Sequence, residues 1–147
     1  MRKLAAVVLS TMLVVTGIMP VSAQESRQTT ITVSIDPAYT VTIPASAIIS
    51  SGNTESGIGR VTLENARLEP GRCVQVSAEA SGRLKNSKDS TKTIPYKLMS
   101  GDDEFSSASY FTSGSNTQLA LSISRSDWDN AYAGQYEDTI VFTISYR

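Results

Sequence analysis

The last residues of the chain alternate in polarity. From Ile140 to Tyr146, large apolar or aromatic side chains occupy every second position, with Val141, Thr143 and Ser145 between them. A period of two in β-branched and aromatic residues is typical of a strand that lies with one face on a core. We expect this strand to close the fold by pairing with strands formed much earlier in the chain.

The same period recurs along the sequence and indicates an all-β fold. It predicts strands over 29–35, 39–43, 60–64, 72–80, 94–98, 119–123 and 140–146, with polar loops over 50–59 and 81–93. Short strands with frequent turn signals and no convincing amphipathic helix are typical of an immunoglobulin-like antiparallel β-sandwich. We expect about seven or eight strands, preceded by a signal peptide.

Two local signals refine this prediction. The Pro70-Gly71 pair in Leu68-Glu-Pro-Gly71 is typical of a type II turn, in which proline is second and glycine third, and it predicts that the flanking strands form a hairpin-like pair. Residues 126–130 are predicted to form one helical turn, since Ser126 and Asp127 are good N-cap residues.

The N-terminus has the pattern of a secretory signal peptide. Arg2 and Lys3 precede an apolar run that ends at Met19, and Val21-Ser22-Ala23 is a small-x-small cleavage site. A membrane-spanning helix needs about 20 apolar residues, so an uncleaved anchor is the second interpretation. We therefore expect a protein that is secreted or held at the cell surface, with no membrane contact once residues 1–23 are removed.

The mature chain is mildly acidic. Cleavage after Ala23 removes two of the 13 Lys and Arg residues and none of the 14 Asp and Glu residues, leaving 124 residues with a formal charge of −3. This length suits a flexible lead over 24–28 followed by a single β-sandwich domain over 29–147. The charge argues against nucleic acid as a partner, because such binding needs clustered positive charge.

The sequence lacks the residues of common catalytic sites. The absence of His excludes Ser-His-Asp sites and His-ligated metals, and the single cysteine, Cys73, excludes an internal disulfide and a thiolate cluster. Cys73 falls on the polar side of its strand, where it is either a free thiol or an intermolecular bridge. Paired carboxylates remain at Asp102 with Asp103 and at Asp127 with Asp129, but turn carboxylates are usually only solvated. We expect no enzyme and no cofactor.

The same four aspartates are the calcium candidates. Their oxygen atoms suit the ion, but the EF-hand spacing with its glycine and distal glutamate is missing, so we expect no metal.

A sugar-binding platform is one alternative. Trp128, Tyr132 and Tyr136 offer rings for stacking, and Asp127 and Asp129 offer acceptors for hydroxyl groups. The competing interpretation is that the only tryptophan fills the open end of the sandwich.

Strand exchange is another alternative. The flexible lead is followed by Ile31, Val33 and Ile35 at alternate positions, so this strand is a candidate to leave its own sheet and complete that of a neighbour. The competing interpretation is an ordinary first strand.

Two end segments resemble a known group. Tyr39-Thr-Val-Thr-Ile-Pro44 and the closing segment from Ala133 to Tyr146 resemble the "YTVTIP" and "AGxYxDTITFTISY" strands of small secreted surface domains in Gram-positive gut bacteria. The closing segment is also similar to spore-coat-U-type and other pilus-associated domains, and loosely to WxL cell-wall-binding proteins. The Trp-x-Leu motif of the WxL proteins is absent, because Trp128 is followed by Asp129 and Asn130, and no LPxTG sorting signal is present. The resemblance implies a β-sandwich at the cell surface and carries over no catalytic residue.

These observations favour a secreted, non-enzymatic β-sandwich that acts as a surface, extracellular-matrix or adhesion-type module. The alternatives are a fibre or pilus subunit assembled by strand donation and a carbohydrate-binding module. The expected partners are other surface proteins, further copies of the chain, or glycans.

Overall fold

The structure is a computed structural model that describes residues 27–147. The chain divides into two compact units, one that ends at Ser34 and one from Ile35 to Arg147. The signal peptide predicted for 1–23, and most of the lead predicted for 24–28, lie outside the described residues. Within 27–34 there is no helix or strand, so every element described below belongs to the second unit.

The second unit is almost entirely β-structure, as predicted. It contains β1 (Ala38–Thr42), β2 (Glu55–Arg67), β3 (Val74–Glu79), β4 (Arg83–Asn86), β5 (Thr93–Pro95), β6 (Lys97–Ser100), β7 (Asp103–Glu104), β8 (Ser107–Tyr110), β9 (Asn116–Ser122), α1 (Arg125–Asp129), β10 (Tyr136–Glu137) and β11 (Val141–Tyr146). None of the described helices is long and apolar enough to cross a membrane.

The strands form three antiparallel sheets. The largest has the order β1-β2-β9-β6-β7, the second has the order β11-β3-β8, and a small third sheet has the order β10-β4-β5. Side chains from the two larger sheets meet in one buried cluster, which makes the fold a β-sandwich.

The predicted inward rows fill this core. The seven largest side chains that are fully buried are Val61, Leu63, Val74, Val76, Ile94, Leu119 and Ile123. Each such side chain contributes about 1.5–3 kcal/mol relative to an exposed one. The period of two therefore located these seven core residues correctly, whereas the buried Phe105 and Tyr110 lie outside the predicted strands.

The strand predicted over 29–35 is wrong. No strand occurs between residue 27 and β1, and Ile31, Val33 and Ile35 are 91%, 81% and 62% exposed. Alternation indicates which residues would share a face, but a strand exists only when a neighbouring strand takes up its main-chain bonds.

The turn at Pro70 and Gly71 is confirmed, but the hairpin is wrong. The Arg72 amide donates to the Glu69 carbonyl at 3.0 Å, and Gly71 has φ +78°, so proline is second and glycine third in a type II turn. β2 and β3 nevertheless lie in different sheets, since β2 already has β1 and β9 on its two sides. The turn carries the chain from one layer to the other.

Further boundaries differ from prediction. Residues 55–59 belong to β2 with a register shift between Gly57 and Gly59, and β4 lies within the predicted loop 81–93. The predicted strand over 94–98 is divided at Tyr96 into β5 and β6, which lie in different sheets. The helical turn is confirmed as α1, but its N-cap is Ser124, which accepts a bond from the Asp127 amide.

Candidate functional site

The last strand, β11, has one neighbour among the described residues. It pairs with β3 in the register Val141↔Glu79 to Tyr146↔Val74, and its other side is an edge of the sheet. Just beyond the strand, the amides and carbonyls of Cys73 and Arg147 bond reciprocally at 2.7 and 2.9 Å. The sequence correctly predicted that this strand pairs with a much earlier one, but it did not predict an edge position.

The Cys73–Arg147 pair sets the direction of every main-chain group on β11. Residues that bond to the neighbouring strand alternate along an antiparallel pair. The residues in phase with Arg147 therefore face β3, whereas the main-chain groups of Phe142, Ile144 and Tyr146 face the open edge. This edge offers a ladder of donors and acceptors to a further strand.

The edge is also apolar. Val141 is 55% exposed and Ile144 is 41% exposed, while Phe142 and Tyr146 pack partly against the core. Ile144 was predicted to face inward with its neighbours in phase, and the missing strand beside β11 explains its exposure.

The first strand supplies a second open edge on the same side of the sandwich. The Leu63 amide on β2 donates to the Ser115 carbonyl, just before β9, at 2.9 Å, so the main-chain groups of Leu63 face β9. Val41, the partner of Leu63 on β1, therefore directs its main-chain groups away from β2. The rings of Tyr39 on β1 and Tyr146 on β11 stack with centroids 5.9 Å apart. One edge strand from each of the two larger sheets thus lies on the same side of the sandwich.

The Tyr146 hydroxyl group joins the end of β11 to the turn between the two sheets. It accepts a bond from the Glu69 amide at 2.9 Å and donates to the Glu69 carboxylate at 3.3 Å. The turn between the two sheets therefore holds the last ring of β11 in place.

Trp128, the centre of the predicted sugar platform, has a structural role. Its ring packs partly against the core, and its Nε1–H donates to the Asn53 carbonyl at 2.8 Å. Tyr132 is 62% exposed, and the Lys92 ammonium group lies 4.6 Å from its ring centroid. Of the predicted rings, Tyr132 is the one that presents most of its surface to solvent.

The two aspartates of the predicted platform bond within α1 and its cap. Asp127 accepts a bond from the Ser124 hydroxyl group at 2.5 Å, and Asp129 lies 3.6 Å from the guanidinium group of Arg125. One oxygen atom of each carboxylate thus has a partner within four residues in the chain.

The calcium candidates are not assembled into a site. Asp102 and Asp103 lie exposed at the β6–β7 turn, and Asp127 and Asp129 lie on α1. Within residues 27–147, no three acidic, histidine or cysteine side chains are close enough to hold a metal ion. Cys73 is a free, half-buried thiol.

Sequence reasoning missed a network around Asp138. Its carboxylate accepts bonds from the Tyr96 hydroxyl group at 2.6 Å and the Ser81 hydroxyl group at 2.8 Å. Burial would raise the pKa of Asp138, but these hydrogen bonds, together with backbone bonds from Thr139 and Ser81, outweigh burial and lower it. Burial, followed by the bond to Asp138, raises the pKa of Tyr96. The three residues are far apart in sequence, and no spacing rule could have joined them.

The sequence matches no protein-family model and no curated protein. The fold itself defines the class of protein, an antiparallel β-sandwich, and its most distinctive surface is the open, apolar edge of β11.

Proposed function

We propose that the chain is a secreted, non-enzymatic surface module that assembles with further copies of itself by strand addition at the β11 edge. The observation that supports this proposal is the combination of unpaired main-chain groups and exposed apolar side chains on one strand. Isolated β-edges of this kind pair readily with another chain.

The incoming strand is the segment around Ile31, Val33 and Ile35 of a second copy. These side chains alternate, as a strand requires, and each is more than 60% exposed. Burying each one stabilises the complex by about 1.5–3 kcal/mol, while ordering each residue of the segment costs about 1–2 kcal/mol. Because these contributions nearly offset each other, the main-chain bonds to the edge decide whether the strand adds.

The test removes one donor from the open edge of β11 without changing the hydrogen bonds between β11 and β3. The Ile144 amide faces the open edge, so Ile144→Pro deletes one of the bonds offered to an incoming strand, and proline is tolerated on strands in this orientation. Ile144→Ala keeps the amide and removes only the side chain. We expect the chain from Gln24 to give a concentration-dependent ladder of oligomers in analytical ultracentrifugation. This ladder should be weaker in Ile144→Ala and absent in Ile144→Pro.

A matched control lies on the opposite edge of the same sheet. The Ala78 amide donates to the Ser106 carbonyl at 2.9 Å, so Ser106 and every second residue after it direct their main-chain groups towards β3. The Ser109 amide therefore points away from β3. Ser109→Pro should leave the ladder unchanged. A ladder that persists in Ile144→Pro, or a chain that is monomeric at every concentration, contradicts the proposal.

Deleting residues 24–35 tests the donor separately. The remaining chain should stay folded, because no described strand begins before Ala38, but it should not form the ladder. A ladder that survives this deletion would place the donor elsewhere.

A further inference from the structure

A tether of two residues, Asp36 and Pro37, joins β1 to the donor segment of the proposed assembly, residues 29–35. Residues 35–37 line a cavity of about 270 Å³ together with residues 67–70, which end β2 and begin the turn between the two larger sheets. The tether therefore lies beside this turn.

The start of β1 and the end of β11 lie at the same turn. Ala38, the first residue of β1, is paired with Arg67, the last residue of β2. The Tyr146 hydroxyl group accepts a bond from the amide of Glu69 in the turn, and its ring stacks on that of Tyr39. The donor segment is thus attached at the end of the sandwich where β11 stops.

The length of β11 exceeds the reach of this tether. In an antiparallel strand whose residues 31, 33 and 35 lie opposite the inward side chains of β11, residue 31 is beside Tyr146 and residue 35 is beside Phe142. These two positions are about 14 Å apart at about 3.4 Å per residue, whereas the Cα–Cα steps from Ile35 to Ala38 reach about 11 Å at most. Since Ala38 lies at the Tyr146 end, the donor segment of the same chain cannot occupy this register.

We infer that the short tether prevents a chain from capping its own β11 edge in the antiparallel direction and so keeps this position for the donor segment of a second copy. The inference rests on the proposed function and adds to it the direction of the donor strand. Within one chain the tether allows only the parallel direction, which pairs slightly less stably, and residues 27–34 form no strand. The donor segment of a second copy is free of this limit, because its tether leads to its own β1.

The test lengthens the tether. A Gly-Ser repeat of about ten residues between Asp36 and Pro37 adds about 35 Å of reach and holds the donor segment at an effective concentration on the order of millimolar near its own β11. We expect this variant to be monomeric in analytical ultracentrifugation at concentrations where the parent from Gln24 forms its ladder. The matched control carries the same repeat between Gln28 and Thr29, before the donor segment, and should keep the ladder.

Hydrogen exchange shows whether the monomer is capped. The amides of Phe142, Ile144 and Tyr146 face the open edge, so in the variant with the long tether they should exchange more slowly than in the chain that lacks residues 24–35. This readout does not require the parent to assemble.

Cysteine pairs report the direction of the donor strand in a Cys73→Ser background. Thr143 and Ser145 direct their main-chain groups towards β3, so a residue opposite either one belongs to a closely spaced, non-hydrogen-bonded pair that suits a disulfide. Thr32→Cys with Ser145→Cys should crosslink in an antiparallel arrangement, and Thr32→Cys with Thr143→Cys in a parallel one. We expect the first pair to crosslink between copies in the parent and within one chain when the tether is long.

The outcomes separate this inference from the proposed function. A ladder that persists with the long tether, a control insertion that also abolishes the ladder, crosslinking of the parallel pair, or unprotected β11 amides in the long-tether monomer would each overturn the inference. A parent that is monomeric at every concentration, beside a long-tether variant that protects its β11 amides, would contradict the proposed assembly and support the limit that the tether sets.

Discussion

Replacing Gly134 by alanine tests the closest approach that any of the described glycines makes to a neighbouring side chain. Gly134 has φ +147°, and a Cβ added there would overlap Nδ2 of Asn86 and lie 3.3 Å from the Cγ and Oδ1 atoms of the same amide. Asn86 is the only buried polar residue in the described chain, and its Oδ1 accepts bonds from the amides of Lys88 and Asp89 at 2.9 and 3.3 Å. The side chain therefore cannot move without losing these bonds.

The expected cost follows from two effects. A non-glycine residue with positive φ costs about 1–2 kcal/mol, and each of the two hydrogen bonds is worth about 0.5–1.5 kcal/mol. Gly134→Ala should therefore lower the free energy of unfolding by about 2–5 kcal/mol, a large part of the 5–15 kcal/mol typical of a domain.

Urea unfolding followed by circular dichroism measures this cost, and Gly114→Ala is the control. Gly114 has φ +88°, but an added Cβ there would meet nothing within 4 Å, so only the backbone contribution of about 1–2 kcal/mol applies. In an Asn86→Ala background, Gly134→Ala should cost no more than the control does. Equal costs for the two glycine variants in the parent chain would refute the steric argument.

Two further predictions concern side-chain hydrogen bonds that join distant parts of the chain. Because the folded-state pKa of Asp138 lies below its ordinary value of 3.8, its contribution is present above that pH and is lost as the pH falls through the folded value. Asp138→Asn, which weakens the bonds from Tyr96 and Ser81, should be less stable than the parent at pH 7, and the difference should shrink towards pH 3 in urea titrations. Trp128→Phe removes the bond to the Asn53 carbonyl and should lower the free energy of unfolding by about 0.5–1.5 kcal/mol; a silent glycan panel with Trp128 fluorescence would support its structural role.

The core could be predicted from the sequence because burial depends on which face a side chain occupies. Val61 with Leu63, and Leu119 with Leu121, were predicted to face inward, and all four are nearly inaccessible. Each row depends only on the local strand geometry, which puts alternate side chains on one face.

Strand partners could not be predicted in this way. The row through Ile94 and Leu98 is buried as expected, yet its two ends lie in different sheets, because alternation does not report where a strand changes neighbours. Ile144 has the same local pattern and is 41% exposed because of its position at an edge. The Asp138 network depends on contacts across 42 and 57 residues, which no local pattern encodes.

The four edge strands of the two larger sheets differ in how they resist pairing. Protected edges are usually short, charged, bulged or flanked by proline. β7 consists of two acidic residues, β1 has a register shift and prolines on both sides, and β8 alternates serine with inward residues. β11 has six residues, with no charge and no proline. β11 is therefore the edge strand that lacks these protective features. For this reason, removing a single amide at Ile144 is a sensitive test of assembly.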